Sequence, residues 1–344
     1  MAESATMPLV QIHGVDDVRI DQVALPVCGD DDIVVAVRQC GICGSDLSYI
    51  AMGGLTPPGQ PMPIGHEMSA EVLECGANVS SVAVGDRVVV NPTAVEPQIG
   101  NSGPEGGFAP YLLVRDVAKY PHAVHIIPDS MDDRTGALVE PMSVGMHGVH
   151  QGEVTASDKV VVFGAGTIGL CITFVLRHYG CKDVVVVDTC EERLVKARQL
   201  GAHTFNPGSG DLAQALREWH GDSTYFGMPV PATDVYIEAT GVGAVFEQMI
   251  AVARINARLV VVGLHKAPAS LDLVTLLSKE LSIRGSMAYP NEFPKVIEMF
   301  ANSEQDPRLL ITHDYPLAEF QEALAMARDQ KQSVKVIVDC RPAQ

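Results

Sequence analysis

The sequence predicts an α/β protein, a doubly wound parallel sheet joined to a second, strand-rich domain. Three observations point there. Short, fully apolar strands alternate with helical stretches through the middle of the chain. A glycine-rich turn joins the first of those strands to its helix. Proline is concentrated outside this region: thirteen of the 22 prolines lie in residues 1–142, four in 143–286 and five in 287–344. Residues 143–286 are therefore expected to form the parallel-sheet domain, and 1–142 with 287–344 the other.

The first region runs in alternating or β-branched segments, Ile33–Arg38, Ala70–Glu74, Arg87–Val90 and Tyr111–Val114, punctuated by glycine and proline. That is the pattern of a small, irregular, strand-rich domain. In the middle region the strands are Val160–Phe163, Val184–Asp188, Asp234–Glu238 and Leu259–Gly263. Strands apolar at every position belong to a parallel sheet covered on both faces. Between them fall helices at Thr167–Gly180, Glu191–Gly201, Asp211–His220 and Ala244–Ile255, and Gly201 after Leu200 serves as a helix stop. The tail carries helices near Phe293–Ala301 and Leu317–Asp329 and a last strand, Val334–Asp339, expected to rejoin the first domain.

Charge narrows the partners. Lysine and arginine total 24 against 42 acidic residues, a formal charge of −18, and no basic cluster breaks the excess. Nucleic acid and anionic membrane are poor partners for such a surface. The longest apolar stretch, Val160–Leu176, is too short to span a bilayer and is interrupted by Gly164, Gly166 and Gly169. Met1–Val10 shows no secretory signal pattern, so the eight cysteines read as reduced thiols or metal ligands and the location as cytoplasmic.

One chemical motif is Gly164-Ala165-Gly166-Thr167-Ile168-Gly169, after the strand Val160–Phe163 and opening a helix. Gly164 permits the tight turn, Gly166 admits a pyrophosphate to the backbone, and Gly169 lets helix and sheet pack closely. The helix start presents unpaired N–H groups to the anion. Asp188 ends the next strand 19 residues beyond Gly169, the spacing of an acid that accepts hydrogen bonds from a ribose. A carboxylate there repels a 2′-phosphate, which favours NAD over NADP. Arg193 is read as stacking or pairing on the adenine side.

The other motif is Cys40-Gly-Ile-Cys43-Gly-Ser45-Asp46, followed 23 positions after Cys43 by Gly65-His66-Glu67. A borderline-soft divalent ion such as zinc takes sulfur, nitrogen and oxygen together. Three readings compete. A thioredoxin-like pair belongs at a helix start in a βαβ unit, and this pair lies in the irregular domain. A structural zinc finger needs a second pair, and no cysteine occurs between Cys75 and Cys171. The third reading joins Cys43 to His66 and leaves a position open for chemistry. Each residue alone also reads as a buried side chain with no metal.

Cys43-Gly44-Ser45-Asp46, Gly65-His66-Glu67, Gly85-Asp86-Arg87-Val88, Gly106-Gly107-Phe108-Ala109, Glu140-Pro141-Met142-Ser143-Val144-Gly145 and the glycine-rich turn follow one another in this order. Taken together the chain resembles the zinc-dependent medium-chain alcohol dehydrogenases over nearly its whole length. It is most similar to their sorbitol, threonine and butanediol dehydrogenase branch. The resemblance implies a Rossmann domain and a GroES-like catalytic domain. It implies one catalytic zinc held by Cys43, His66 and an acid, Glu67 or Glu140, with Asp46 orienting His66. Ser45 would lie beside the substrate oxygen and take its proton. Some relatives continue the relay through a histidine where this chain has Ser48, so water would finish it here. Thr240-Gly241 and Gly263-Leu264 would contact the cofactor. His147 and His150 read as packed or surface residues.

The chain also departs from its relatives. Many insert a lobe with four close cysteines, whereas here Asn91 to Phe108 holds none. A structural zinc is therefore not expected, and a homodimer is favoured over a homotetramer. Met287-Ala288-Tyr289 stands where sorbitol dehydrogenases carry an arginine for polyol hydroxyls. Tyr49, Ile50, Met52 and Leu55 are read as an apolar wall. The expected reaction interconverts a secondary alcohol or vicinal diol and its ketone. A polyol or L-threonine substrate is the alternative. A zinc-free quinone-type reductase or a non-catalytic nucleotide-binding relative is more remote, since either would have lost the ligand set.

Overall fold

The computed structural model describes residues 5–342. Two compact units divide the chain: one holds the residues up to Glu140, 300–302 and those from Ile311 on, the other Pro141–Met299 and Ser303–Leu310.

In chain order the first stretch holds β1 (Thr6–Gly14), β2 (Asp17–Ala24), β3 (Ile33–Gly41), α1 (Gly44–Met52), β4 (Met62–Pro63), β5 (Glu67–Cys75), β6 (Arg87–Val90), β7 (Tyr111–Val114), β8 (Val124–Ile126), α2 (Asp133–Gly136) and α3 (Val139–Gln151). The chain continues with β9 (Val160–Phe163), α4 (Thr167–His178), β10 (Val184–Val187), α5 (Glu191–Gln199), β11 (His203–Phe205), α6 (Leu212–His220), β12 (Asp222–Tyr225), β13 (Met228–Pro231), β14 (Val235–Glu238), α7 (Gly243–Val252), β15 (Arg258–Val261), α8 (Leu273–Ser278), β16 (Ser282–Gly285) and α9 (Phe293–Asn302). The chain closes with β17 (Ile311–Pro316), α10 (Phe320–Arg328) and β18 (Lys335–Asp339).

The first unit is built on a seven-stranded sheet in the order β17-β18-β3-β5-β6-β8, with β7 also on β3. β3 is central and buried at nearly every position, as its run of isoleucine and valine requires. Phe108 and Phe320 pack ring to ring in this core, 4.8 Å apart. The four strands expected here are present, two of them longer than expected, and β18 lies beside β3.

The second unit is a six-stranded parallel sheet in the order β11-β10-β9-β14-β15-β16. Its strand order reverses between β9 and β14, the crevice where ligands bind in such sheets. Gly201 follows the last residue of α5's cap at φ +85°, the left-handed stop its position suggested. α7 ends at Val252 rather than Ile255. Ala253 turns extended there, and Arg254 leaves the helix to bond Asp234 at 2.5 Å. The hairpin β12–β13 was not legible. Its Phe226-Gly227 turn has φ of 47° and 78°, as a two-residue hairpin needs, while Pro229 and Pro231 take two backbone donors out of β13 and blur its strand pattern.

The tail from Met287 is divided between the two units: 287–299 and Ser303–Leu310 belong to the second, 300–302 and the residues from Ile311 on to the first. Residues 287–299 stay with the second unit because α9 turns Phe293, Val296 and Met299 inward. Glu292, just before α9, also accepts from Nδ1 of His147 and His150 on α3, each at 3.1 Å. Those histidines are thus packing partners of one buried carboxylate.

A buried histidine of this unit makes stability pH-dependent. His220 ends α6, is 1% exposed and bonds Thr233 at 2.8 Å through Nδ1. Burial pushes its pKa down to about 4. The folded state thus binds its proton more weakly than the unfolded state does. The contribution is complete above the ordinary value of 6.5 and is lost as pH falls from there towards 4. His220→Gln should flatten the pH 4–7 stability profile by up to about 3 kcal/mol, read by urea unfolding at each pH. Parallel profiles for both proteins would refute this.

Candidate active site

The antiparallel register of β3 and β5 closes the gap between the two halves of the metal motif. Gly41 pairs with Glu67, so Cys43, just past β3, and His66, just before β5, emerge at the same end of the sheet. Cys43 Sγ, a His66 ring nitrogen and a Glu67 carboxylate oxygen lie within 4.8 Å of one another. His66 and Glu67 are buried. Cys43 precedes the first turn of α1, and its N–H donates to Asp46 Oδ2 at 2.9 Å, which fixes Asp46 beneath the histidine. Asp46 Oδ1 stands 3.5 Å from His66 Nδ1, and neither atom has a hydrogen-bond partner in the described structure. Ser45 Oγ lies 3.3 Å from His66 Nε2.

The electrostatics of the cluster favour a cation. Burial alone would lower the His66 pKa, but the charges of Asp46 and then Cys43 outweigh it and hold the imidazole well above its ordinary range. A soft sulfur, an imidazole whose Nδ1 faces the Asp46 carboxylate, and a further carboxylate make a donor set that fits a zinc ion.

Lys335 was missed by sequence reasoning. Its Nζ donates to Glu67 Oε2 at 2.5 Å, Oε1 at 2.8 Å and the Ile42 carbonyl at 2.9 Å, with both side chains about 2% exposed or less. Burial, the largest influence, lowers its pKa, but the charges of Glu67 and then Cys43 raise it overall. The geometry follows from register. Ile337 pairs with Gly41, so Lys335 and Glu67 flank Gly41 from neighbouring strands. A Cβ on Gly41 would stand 2.1 Å from Glu67 Oε2, so only glycine lets the pair meet. A lone lysine opening an apolar strand was the available signal.

Glu140, buried in the first turn of α3, is not among the three clustered ligand groups, though its charge acts on Lys335. Ser48 Oγ turns back to the Gly44 carbonyl at 3.1 Å. Of the expected apolar wall, Ile50 is fully buried in the core, while Met52 and Leu55 are exposed. Tyr49 bonds Asn101 through its hydroxyl at 2.8 Å.

In the second unit the glycine turn leaves β9 as expected. A Cβ on Gly169 would meet the Gly164 carbonyl oxygen at 1.8 Å, which is why the helix can start so close to the strand. At Gly166 only the Arg193 guanidinium comes near, 3.6 Å from where a Cβ would be. Arg193, expected on the adenine side, therefore stands over the glycine turn at Gly166. Asp188 accepts from Ala165 N–H at 2.6 Å and Cys190 N–H at 2.8 Å, which locks the acid against the turn. Thr240-Gly241 follows β14 and Gly263-Leu264 follows β15, at carboxyl ends of strands.

A profile described as alcohol dehydrogenase GroES-like domain matches residues 29–124, and one described as zinc-binding dehydrogenase matches 167–302. Sorbitol dehydrogenase of Bos taurus is 31% identical over 345 residues, covering 96% of this chain and 95% of its own. The chain belongs to the zinc-binding alcohol dehydrogenase family. This dehydrogenase is an alcohol-oxidising enzyme with a GroES-like domain and a Rossmann domain. The crystal structure of 2R,3R-butanediol dehydrogenase from Bacillus subtilis superposes with a TM-score of 0.87 at 30% identity, over 98% of this chain and 100% of that one. A zinc-binding dehydrogenase from Sinorhizobium meliloti 1021 bound to NADP superposes at 0.84 and 26% identity, covering 97% and 99%. Zinc and a nicotinamide cofactor are thus the cofactors of this dehydrogenase's family.

Proposed function

We propose that this dehydrogenase interconverts a secondary alcohol or vicinal diol and its ketone, with NAD as hydride acceptor and a single zinc. The cluster of Cys43, His66 and Glu67 within 4.8 Å carries the reading. Zinc held by Cys43, His66 and either Glu67 or Glu140 supplies Lewis-acid polarisation of the substrate oxygen. Asp188 would hold the ribose and the Gly164–Gly169 turn the pyrophosphate of NAD, which would supply the hydride acceptor. Asp46 keeps the His66 ring in one orientation. Ser45 holds the substrate's hydroxyl proton at Oγ, beside His66. Ser48 cannot pass it on, because its own hydroxyl is turned to Gly44. Solvent water completes the transfer.

NAD is favoured because both Asp188 oxygens are pinned at the end of β10, where a 2′-phosphate would meet a fixed negative charge. A sorbitol-type polyol is the second reading, favoured by the Bos taurus relative. Against it stands Met287-Ala288-Tyr289, which offers no arginine to the hydroxyls. L-Threonine is a third candidate substrate. No helix among the described residues is long and apolar enough to cross a membrane, in keeping with a cytoplasmic enzyme.

A homodimer is proposed as the assembly, with a homotetramer as the competing state. β16 is an edge strand with exposed side chains, and Leu273, Val274 and Leu277 on α8 are 66–77% exposed. An unpaired parallel edge and an apolar patch favour a self-complementary contact.

The test is one preparation measured three ways. Metal analysis should find about one zinc per chain. NAD reduction should appear with a secondary alcohol or diol and exceed that with sorbitol or threonine. Light scattering should give the mass of two chains. No zinc, and no NADH formed with any of these substrates, would overturn the reading.

A further inference from the structure

The loops at the carboxyl ends of β14 and β15 are joined by a side-chain pair that the reaction above does not use. Glu238, the last residue of β14, is fully buried. Its Oε1 accepts from the N–H groups of Thr240 at 2.5 Å and Gly241 at 2.8 Å, and from the Thr240 hydroxyl. Its Oε2 lies 2.9 Å from His265 Nε2. A carboxylate without solvent is costly unless donors surround it, so this one orders every group that bonds it.

The loops it joins have no slack. A Cβ on Gly263 would stand 2.3 Å from Gly241 N and 2.7 Å from Glu238 Oε2, and one on Gly241 would stand 2.4 Å from the Leu264 carbonyl oxygen. On its other side Thr240 reaches the glycine turn, with Cγ2 at 3.0 Å from where a Cβ on Gly164 would be. The pair therefore sits beside the point where strand order reverses. Asp188 after β10 serves the adenosine half of a dinucleotide, whereas β14 and β15 belong to the other half of the sheet, which receives the nicotinamide half. His265, with 19% of its side chain exposed, is the member that meets solvent.

We propose that Glu238 and His265 form a positioning pair, setting the spacing of the two loops that receive the nicotinamide half of the cofactor. This rests on the NAD reading above. His265 acts through Glu238 and the loop backbone. Losing it frees the 262–265 loop while leaving the glycine turn and Asp188 intact. The nicotinamide half should loosen and the adenosine half should not.

The test compares NADH with ADP-ribose, which lacks the nicotinamide, by calorimetry on the full chain. His265→Ala should weaken NADH binding about tenfold, as expected for losing a hydrogen bond to a buried charged group, and change ADP-ribose binding by less than about twofold. His265→Gln, which keeps an N–H that can reach Glu238, should recover most of the NADH affinity. His265→Asn, too short to reach, repeats the test should the alanine variant not fold. Equal weakening for both ligands, or none for either, would overturn the proposal. Wild type binding neither ligand would overturn the NAD reading and the pair's role with it; wild type binding both keeps the two questions separate.

Discussion

Cys43→Ser is expected to empty the metal site and lower kcat/KM at least about 10³-fold, because a Lewis acid supplies several kcal/mol of transition-state stabilisation. The substitution is chosen to spare the fold. Asp46 bonds the Cys43 backbone N–H rather than the thiol, so the start of α1 keeps its fixed geometry. Serine is a poor zinc ligand at neutral pH, so the site loses its one soft donor while His66 and Glu67 stay in place. Zinc content by mass spectrometry should fall from about one per chain to near zero, with Tm measured on metal-stripped protein unchanged. Asp46→Asn should act more mildly. It leaves Cys43, His66 and both candidate acids in place but removes the charge 3.5 Å from His66 Nδ1. Weakening of zinc affinity by about 10–100-fold is expected there, as for loss of a partner that orients a histidine ligand. A Cys43→Ser enzyme that keeps its zinc and its turnover would remove Cys43 from the site.

What the sequence made legible follows from the range of each signal. The glycine turn, Asp188 and the apolar strands are local patterns with local causes, and the structure has them within a residue or two. The metal motif was legible as residues, but its assembly depends on one long-range fact, the pairing of Gly41 with Glu67. Lys335 shows the limit. It is 268 positions from Glu67 and meets it only because β18 docks on the far side of β3 and Gly41 has no side chain. Glu238 looked like a strand end, and nothing local tied it to His265, 27 positions on. Ile50 was misplaced for a different reason: the helix that begins at the metal motif turns that residue into the core and its neighbour Tyr49 towards Asn101. Polar pairs and helix faces set by tertiary packing leave no periodic trace.

Lys335→Met should therefore have a large effect although lysine touches no substrate. It leaves the Glu67 carboxylate buried without its cation, a change that typically costs about 3–5 kcal/mol. For a unit of this size that is a fall in Tm of roughly 10 °C. The sign across pH can be worked out. The folded pKa of Lys335 lies above the ordinary 10.5, so its contribution is complete below 10.5 and is lost only as pH rises through the folded value. The loss in the variant should thus be the same at pH 7 and pH 9. Glu67→Gln should cost a similar amount, since it strands the ammonium instead. The double variant should cost less than the sum, with a coupling of about 2 kcal/mol or more between residues in direct contact. Zinc adds a second arm, because Lys335 and the metal compete for one carboxylate. If Glu67 is the acid that ligates, added zinc should raise the Tm of Lys335→Met by more than it raises the wild type. If Glu140 ligates instead, both proteins should gain equally. Additive costs in the double variant would show that the pair, for all its proximity, does not hold the site together.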